Sequence, residues 1–271
     1  MEHATEGIGF TENCPAIRIE KGRRTEIMRP VAREFPLTIF LNNRQLVTML
    51  CSPEALKDLA AGFLTSEGFL HNKDEIKSIT LDSIRGVVRV QTTDNREISP
   101  EVMSQRLISS GCGRGAAFYS ATDVQNTVVT SRTTISATEL LNLVMDFQHA
   151  SPVYRETHGV HSAALYRRMN LLAHAEDIGR HNAVDKIFGH CILESIDTQD
   201  CILISSGRIS SEIAHKAAKK SIPILVSISA PTTLAVRVAE TMGLTLVASV
   251  RGDKMDVYTH NWRITLTAPE A

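Results

Sequence analysis

The segment Ser109-Ser110-Gly111-Cys112-Gly113-Arg114-Gly115 sets a single thiol among alternating glycines, two residues from a guanidinium. Glycine at every second position predicts a backbone that adopts positive φ and approaches a ligand closely. The Arg114 charge favours thiolate over thiol where the two side chains meet, and thiolate is the nucleophilic form. A cysteine on such a flexible arm fits a group that visits two partners in turn. The competing use of cysteine is as a small buried hydrophobe, and the polar surroundings of Cys112 lack the apolar neighbours that this requires. Cys51, Cys191 and Cys201 stand among apolar residues and are expected to fill core space. Cys14 lies in a polar N-terminal stretch with no partner for chemistry. No two of the five cysteines form a C-x-x-C pair, so a cysteine-built zinc site has no support and no metal is expected.

The densest polar run is Glu176-Asp177-Ile178-Gly179-Arg180-His181-Asn182-Ala183-Val184-Asp185-Lys186. It spans a strand-to-helix turn, where unpaired N–H groups point outwards and anionic ligands settle. Capping residues and surface ion pairs are the alternative use of such a run. Ser205-Ser206-Gly207-Arg208-Ile209-Ser210-Ser211-Glu212 and Ser229-Ala230-Pro231-Thr232-Thr233 repeat the arrangement. Three such turns, lined with hydroxyls and arginine, would share one edge of a sheet and suit a phosphorylated or nucleotide-like ligand. None is a Walker loop or a G-x-G-x-x-G fingerprint, so ordinary nucleotide hydrolysis and NAD chemistry are unsupported. His174-Ala175-Glu176 matches the H-x-E element of zinc nucleobase deaminases, but the Pro-Cys-x-x-Cys half of that signature is absent. His158 and His161 are ligand candidates or structural histidines.

The elements that must hold these groups follow from periodicity. Phe35 to Leu41 and Gln45 to Cys51 read as strands joined at Asn42-Asn43. Ser52 is expected to cap a helix with Pro53 at its first position, Leu56, Leu59, Ala60, Phe63 and Leu64 on one face, and Gly68 at the stop. Ile76 to Leu81 and Val87 to Gln91 complete a β-β-α-β-β unit. Residues 104–134 are polar and without a period, a long loop. Ser136 to Glu139 is a capping box ahead of a helix. Strands then alternate with helices: 161–166 and 171–175, helix 182–193, strand 201–205, helix 210–220, strand 222–228, helix 232–242, strands 244–250 and 255–258. Apolar runs between helices imply a sheet covered on both faces. The fold class is therefore α/β, with a small α+β domain over residues 1–130 and a three-layer α/β domain over 131–271.

Composition narrows the function classes. The chain has 271 residues, 43% hydrophobic and 22% charged, with 29 Lys and Arg against 30 Asp and Glu. A balanced charge gives no global electrostatic footprint for nucleic acid. No stretch reaches the ~20 apolar residues of a membrane helix, and the polar N-terminus lacks a signal pattern. Five widely spread cysteines, an odd number, argue for a reducing compartment, the cytoplasm.

The long polar block resembles the E-D-[IV]-G-R-H-N-A-x-D-K block of the FdhD family, the formate dehydrogenase accessory proteins. The resemblance continues through Ser206-Gly207-Arg208, Pro223 to Thr232, Gly243 to Leu246 and Val257 to His260, and in the first half through Leu59 to Leu64 with Glu67-Gly68. It covers the chain from about residue 30 to 262. What it implies is a sulfurtransferase that receives sulfane sulfur from a cysteine desulfurase and holds it as a persulfide on a loop cysteine. The sulfur then passes to the molybdenum bis(guanine dinucleotide) cofactor used by formate dehydrogenase. By that resemblance Cys112 is the carrier, and Gly115 stands where the family has a second cysteine. The cofactor-binding segment falls on Ser249, Val250, Arg251, Gly252, Asp253 and Lys254. The family also implies a homodimer and a C-terminal domain resembling the cytidine deaminase fold. Position alone adds Arg114, Arg180 and Arg208, with Arg251 and Lys254, as candidates for holding phosphate or tuning the persulfide, and His181 as a candidate cofactor contact. A cofactor-binding chaperone of formate dehydrogenase, without chemistry of its own, is the alternative function.

Overall fold

A computed structural model of the protein describes residues 9–94, 107–108, 116–117 and 128–266. The chain enters through a two-stranded antiparallel ribbon, β1 (Thr11–Glu20) and β2 (Arg23–Ala32), which the sequence reading passed over. Most of its side chains are exposed and none is buried, so no buried face imposes the period-2 pattern by which a strand is recognised. Lys21 and Gly22 close it, both at positive φ, 50° and 77°.

The β-β-α-β-β unit forms as expected. β3 (Phe35–Leu41) and β4 (Arg44–Cys51) are antiparallel, and Asn42 and Asn43 take the left-handed conformations, φ 47° and 66°, that a tight hairpin needs. Helix α1 (Leu56–Ser66) leads to β5 (Ile76–Asp82) and β6 (Val87–Thr92), in the sheet order β4-β3-β6-β5. Gly68 stops the helix with φ 81°. Leu37, Ile39, Leu41, Val88 and Val90 face Leu56, Leu59, Ala60, Phe63 and Leu64 of α1 in one core.

The expected N-cap is wrong. α1 starts behind Ala55, which is left-handed (φ 51°) and gives no side-chain cap, and Pro53 lies outside the helix. Ser52 is committed elsewhere: its N–H donates to Asp177 Oδ2 at 3.0 Å, and its Oγ accepts from the Ile178 N–H at 3.1 Å. A hydroxyl held by a strand end 126 residues away in the chain is not available to cap its own helix.

Beyond β6 the short strands β7 (Leu107–Ile108) and β8 (Ala116–Ala117) pair antiparallel. The expected loop over 104–134 falls mostly outside the described residues, as do Cys112, Arg114 and Gly115. β9 (Ile135–Ser136) precedes α2 (Ala137–His149), whose capping box forms: Ser136 Oγ accepts from the Glu139 N–H at 3.2 Å, and Glu139 Oε2 accepts from the Ser136 N–H at 3.0 Å. A short helix, α3 (Pro152–Thr157), was not expected. Then follow β10 (His161–Arg167), β11 (Asn170–Asp177), α4 (Arg180–Leu193), β12 (Cys201–Ser205), α5 (Ser211–Lys219), β13 (Ile224–Ser227), α6 (Thr233–Thr241), β14 (Thr245–Arg251), β15 (Lys254–Val257) and β16 (Ile264–Thr265).

Six of these strands form a mixed sheet in the order β11-β10-β12-β13-β14-β15, with β12, β13 and β14 parallel. It is covered on both faces. Ala163, Leu165, Leu203, Leu225 and Leu246 point to α4, α5 and α6, while Ala164, Tyr166, Ile202, Ile204, Val226 and Val247 point to α2. The smaller core is not closed by its own elements, because Ile192 and Leu193 of α4 pack into it. Gly62 of α1 and Gly189 of α4 let the two helix backbones touch, since a Cβ on either would collide with the main chain of the other.

Candidate functional site

The strands set one polar edge. β11 ends at Asp177, β12 at Ser205 and β13 at Ser227, while antiparallel β10 brings His161 opposite Asp177. Main-chain bonds stitch the outgoing turns together. Ser206 N–H donates to Ser162 O at 2.9 Å, Ile228 N–H to Ser205 O at 3.4 Å, Thr232 N–H to Ile209 O at 2.9 Å and Ser249 N–H to Ser229 O at 2.9 Å. The turns at 176–186, 205–212 and 229–233 therefore share one edge. Ser210 and Thr232 cap α5 and α6, whereas Gly179 gives the fourteen-residue α4 no side-chain cap. Open N–H groups at a helix start favour an anion.

Most of the ionisable residues in the 176–186 block are consumed by the fold. The Glu176 carboxylate accepts from the N–H groups of Val153 (3.1 Å) and Tyr154 (2.9 Å), which anchors the start of α3. Asp177, fully buried, takes four donors: Ser52 N–H, Gly179 N–H and Asn182 Nδ2 at 2.9–3.0 Å, and Lys186 Nζ at 2.8 Å. Asn182 Nδ2 also reaches Leu50 O at 2.9 Å. Asp185 pairs with Lys216 at 2.7 Å and accepts from Ser66 Oγ at 2.6 Å, joining α4 to α5 and α1. His174 of the H-x-E element lies 3.3 Å from Ser151 Oγ. No group of three or more His, Cys, Asp or Glu is arranged to hold a metal among the described residues.

Arg180 and His181 also lie at the edge. Gly207 makes room for the first, because a Cβ there would come within 2.7 Å of the Arg180 Cβ. His181 Nε2 lies 3.0 Å from Glu212 Oε2 and 3.3 Å from Ser210 Oγ. Arg208, on the neighbouring turn, is exposed. Ser249 joins the edge through Ser229, its φ of 56° marking a bulge in β14. Val250 is buried, and the segment then leaves the edge: Arg251 pairs with Lys254 across a turn of Gly252 and Asp253, all four exposed. The edge thus gathers Arg180, His181, Arg208 and Ser249, with Arg251 to Lys254 on the hairpin beyond. The sequence marked Ser52 as a cap rather than as a tie to the edge, and gave no individual role to Glu212 or to the Ser206 that faces His161 Nδ1 at 3.3 Å. The tie from Ser52 to Asp177 and Ile178 carries no local signal, since its partners come from a distant strand.

Burial dominates the electrostatics. The thiols of Cys51 and Cys191 are pushed up to about 12 by burial, and that of Cys201 is also raised, so all three are inert as nucleophiles at neutral pH. His161 is held below the usual histidine range by burial and then by the Arg180 charge, and burial lowers His174 and His215 as well. Below pH ~6.5 the unfolded chain binds protons that these three rings in the folded chain refuse. Stability is therefore expected to fall as pH drops from about 7.5 to 5.5. Asp58, whose carboxyl burial raises, opposes this only as carboxylates begin to protonate. Urea midpoints measured across that range check the sign, and a midpoint that rises on acidification contradicts it.

The model of the FdhD/NarQ family matches residues 32–265, and the chain belongs to that family. It is 43% identical over 236 residues to the sulfur carrier protein FdhD of Bacillus pumilus (strain SAFR-032), covering 87% of this chain and 90% of that one. To the sulfur carrier protein FdhD of Bacillus subtilis (strain 168) it is 41% identical, covering 91% and 95%. A crystal structure of a protein assigned as a formate dehydrogenase accessory protein, from Desulfotalea psychrophila, superposes with a TM-score of 0.78 at 27% identity, covering 94% of this chain and all of that one.

Proposed function

We propose that the protein is a sulfur carrier and sulfurtransferase of the cytoplasm, acting as a homodimer. It takes sulfane sulfur from a cysteine desulfurase and delivers it to the molybdenum bis(guanine dinucleotide) cofactor of formate dehydrogenase. The observation that carries this reading is the near full-length similarity to relatives named as sulfur carriers. In the loading step the Cys112 thiolate attacks the terminal sulfur of the donor persulfide. The donor's S–S bond breaks, its cysteine leaves as thiolate, and a new S–S bond forms on Cys112. The other cysteines support this choice by default, because burial holds three of them as thiols. The substrate's phosphates would lie on the uncapped start of α4 with Arg180 and Arg208, and the exposed Arg251 and Lys254 extend the cationic surface. Likeness of the second unit to the cytidine deaminase fold belongs to the same reading. It is supported by the antiparallel β10–β11 pair followed by parallel β12 to β14, with helices on both faces.

Intact-protein mass spectrometry after incubation with desulfurase and cysteine tests the carrier. Wild type is expected to gain one sulfur, removable by reductant, and Cys112→Ala none. Equal loading of the variant overturns the assignment.

A further inference from the structure

We propose that Glu212 is a positioning residue that sets His181 to receive a hydrogen-bond donor from the nucleoside part of the substrate. The inference rests on the reading above. His181 lies in the first turn of α4 and Glu212 in the first turn of α5, side by side at the polar edge. Nε2 faces the carboxylate at 3.0 Å, with the two side chains 20% and 11% exposed. A carboxylate at a helix start is stabilised as the anion. An anionic carboxylate accepts and cannot donate, so Nε2 must carry the hydrogen. In the neutral ring that leaves the lone pair on Nδ1, which has no protein partner among the described residues. The fixed tautomer turns His181 into an acceptor beside Arg180, which can only donate.

The two neighbours therefore ask for different chemistry. The uncapped start of α4 and the Arg180 charge favour an anionic oxygen, as any phosphate offers. His181 Nδ1 takes an O–H or N–H, which ribose hydroxyls and the guanine edge offer and a fully ionised phosphate does not. Arg180 and the helix start supply attraction to charge, and the Glu212–His181 pair selects nucleoside phosphates over inorganic ones.

Calorimetric titration with guanosine diphosphate and with pyrophosphate, alongside ¹⁵N NMR of the His181 ring, tests this. Wild type is expected to show the Nε2–H tautomer. Glu212→Ala should mix the tautomers and weaken guanosine diphosphate binding about tenfold, with pyrophosphate binding changed less than about twofold. Glu212→Gln keeps an acceptor oxygen and should retain the tautomer and most of the affinity, which separates positioning from damage to α5. An unchanged ring spectrum and unchanged affinity in Glu212→Ala overturn the inference, as does an equal loss for both ligands. A wild type that loads sulfur on Cys112 but does not bind guanosine diphosphate overturns it too and leaves the carrier assignment standing. Failure of loading overturns that assignment instead.

Discussion

Gly189→Ala is expected to cost about 3 kcal/mol of folding stability, and Gly62→Ala about as much. Both glycines sit where α1 crosses α4. A Cβ on Gly62 would strike the carbonyl of Asp185 and stand 2.8 Å from the Gly189 nitrogen; one on Gly189 would strike the carbonyl of Asp58 and stand 2.7 Å from the Gly62 nitrogen. The obstacles are main-chain atoms inside two helices, so no side chain can swing aside and the helices must part. Parting them lifts Ile192 and Leu193 out of the smaller core and strains the Ser66–Asp185 bond. Gly68→Ala is the control. It has positive φ (81°) but open space around its Cβ, so its cost is the left-handed penalty alone, about 1 kcal/mol. Urea unfolding followed by circular dichroism separates the three. A Gly189→Ala protein within 1 kcal/mol of wild type would show that the crossing relaxes cheaply.

These glycines also show where the sequence could and could not be read. Gly68 was legible because it follows a periodic helix and its role is local. Gly62 and Gly189 were not, since each is defined by a helix more than a hundred residues away in the chain. The same division runs through the fold. Ser136 and Glu139 bond within four residues of each other and were readable as a capping box. Ser52 has the right type and spacing for a cap, yet the remote Ile178 N–H claims its hydroxyl. The strand-to-helix turns were legible as a shared edge because alternating strands and helices put such turns at one end of a sheet. Which residues within them the fold consumes was not, because Glu176, Asp177, Asp185 and Lys186 look as available in sequence as their neighbours. Only the contacts show these four to be spent on structure.

Asp177→Ala is expected to destabilise the protein by about 3–5 kcal/mol and, beyond that, to loosen the polar edge. Without its carboxylate, Lys186 is a buried ammonium left with the Glu176 carbonyl at 3.1 Å, the Ser52 carbonyl at 3.5 Å and the face of the Phe10 ring at 5.9 Å. The N–H of Ser52, the N–H of Gly179 and Asn182 Nδ2 each lose an acceptor as well. Replacing Lys186 by Met in the same chain removes the stranded charge and should recover about 2 kcal/mol, but not the orphaned amides. Asp185→Ala is the informative comparison, because it strands a likewise buried Lys216 and should cost a similar amount. The two differ in what they hold. Asp185 ties the middle of α4 to α5 and α1, whereas Asp177 Oδ1 fixes Gly179 and Asn182 on either side of Arg180 and His181. Under conditions where both variants remain folded, guanosine diphosphate binding should therefore fall in Asp177→Ala and persist in Asp185→Ala. Equal affinities would mean that the start of α4 keeps its shape without the Asp177 carboxylate, and that Arg180 and His181 are positioned from the α5 side alone.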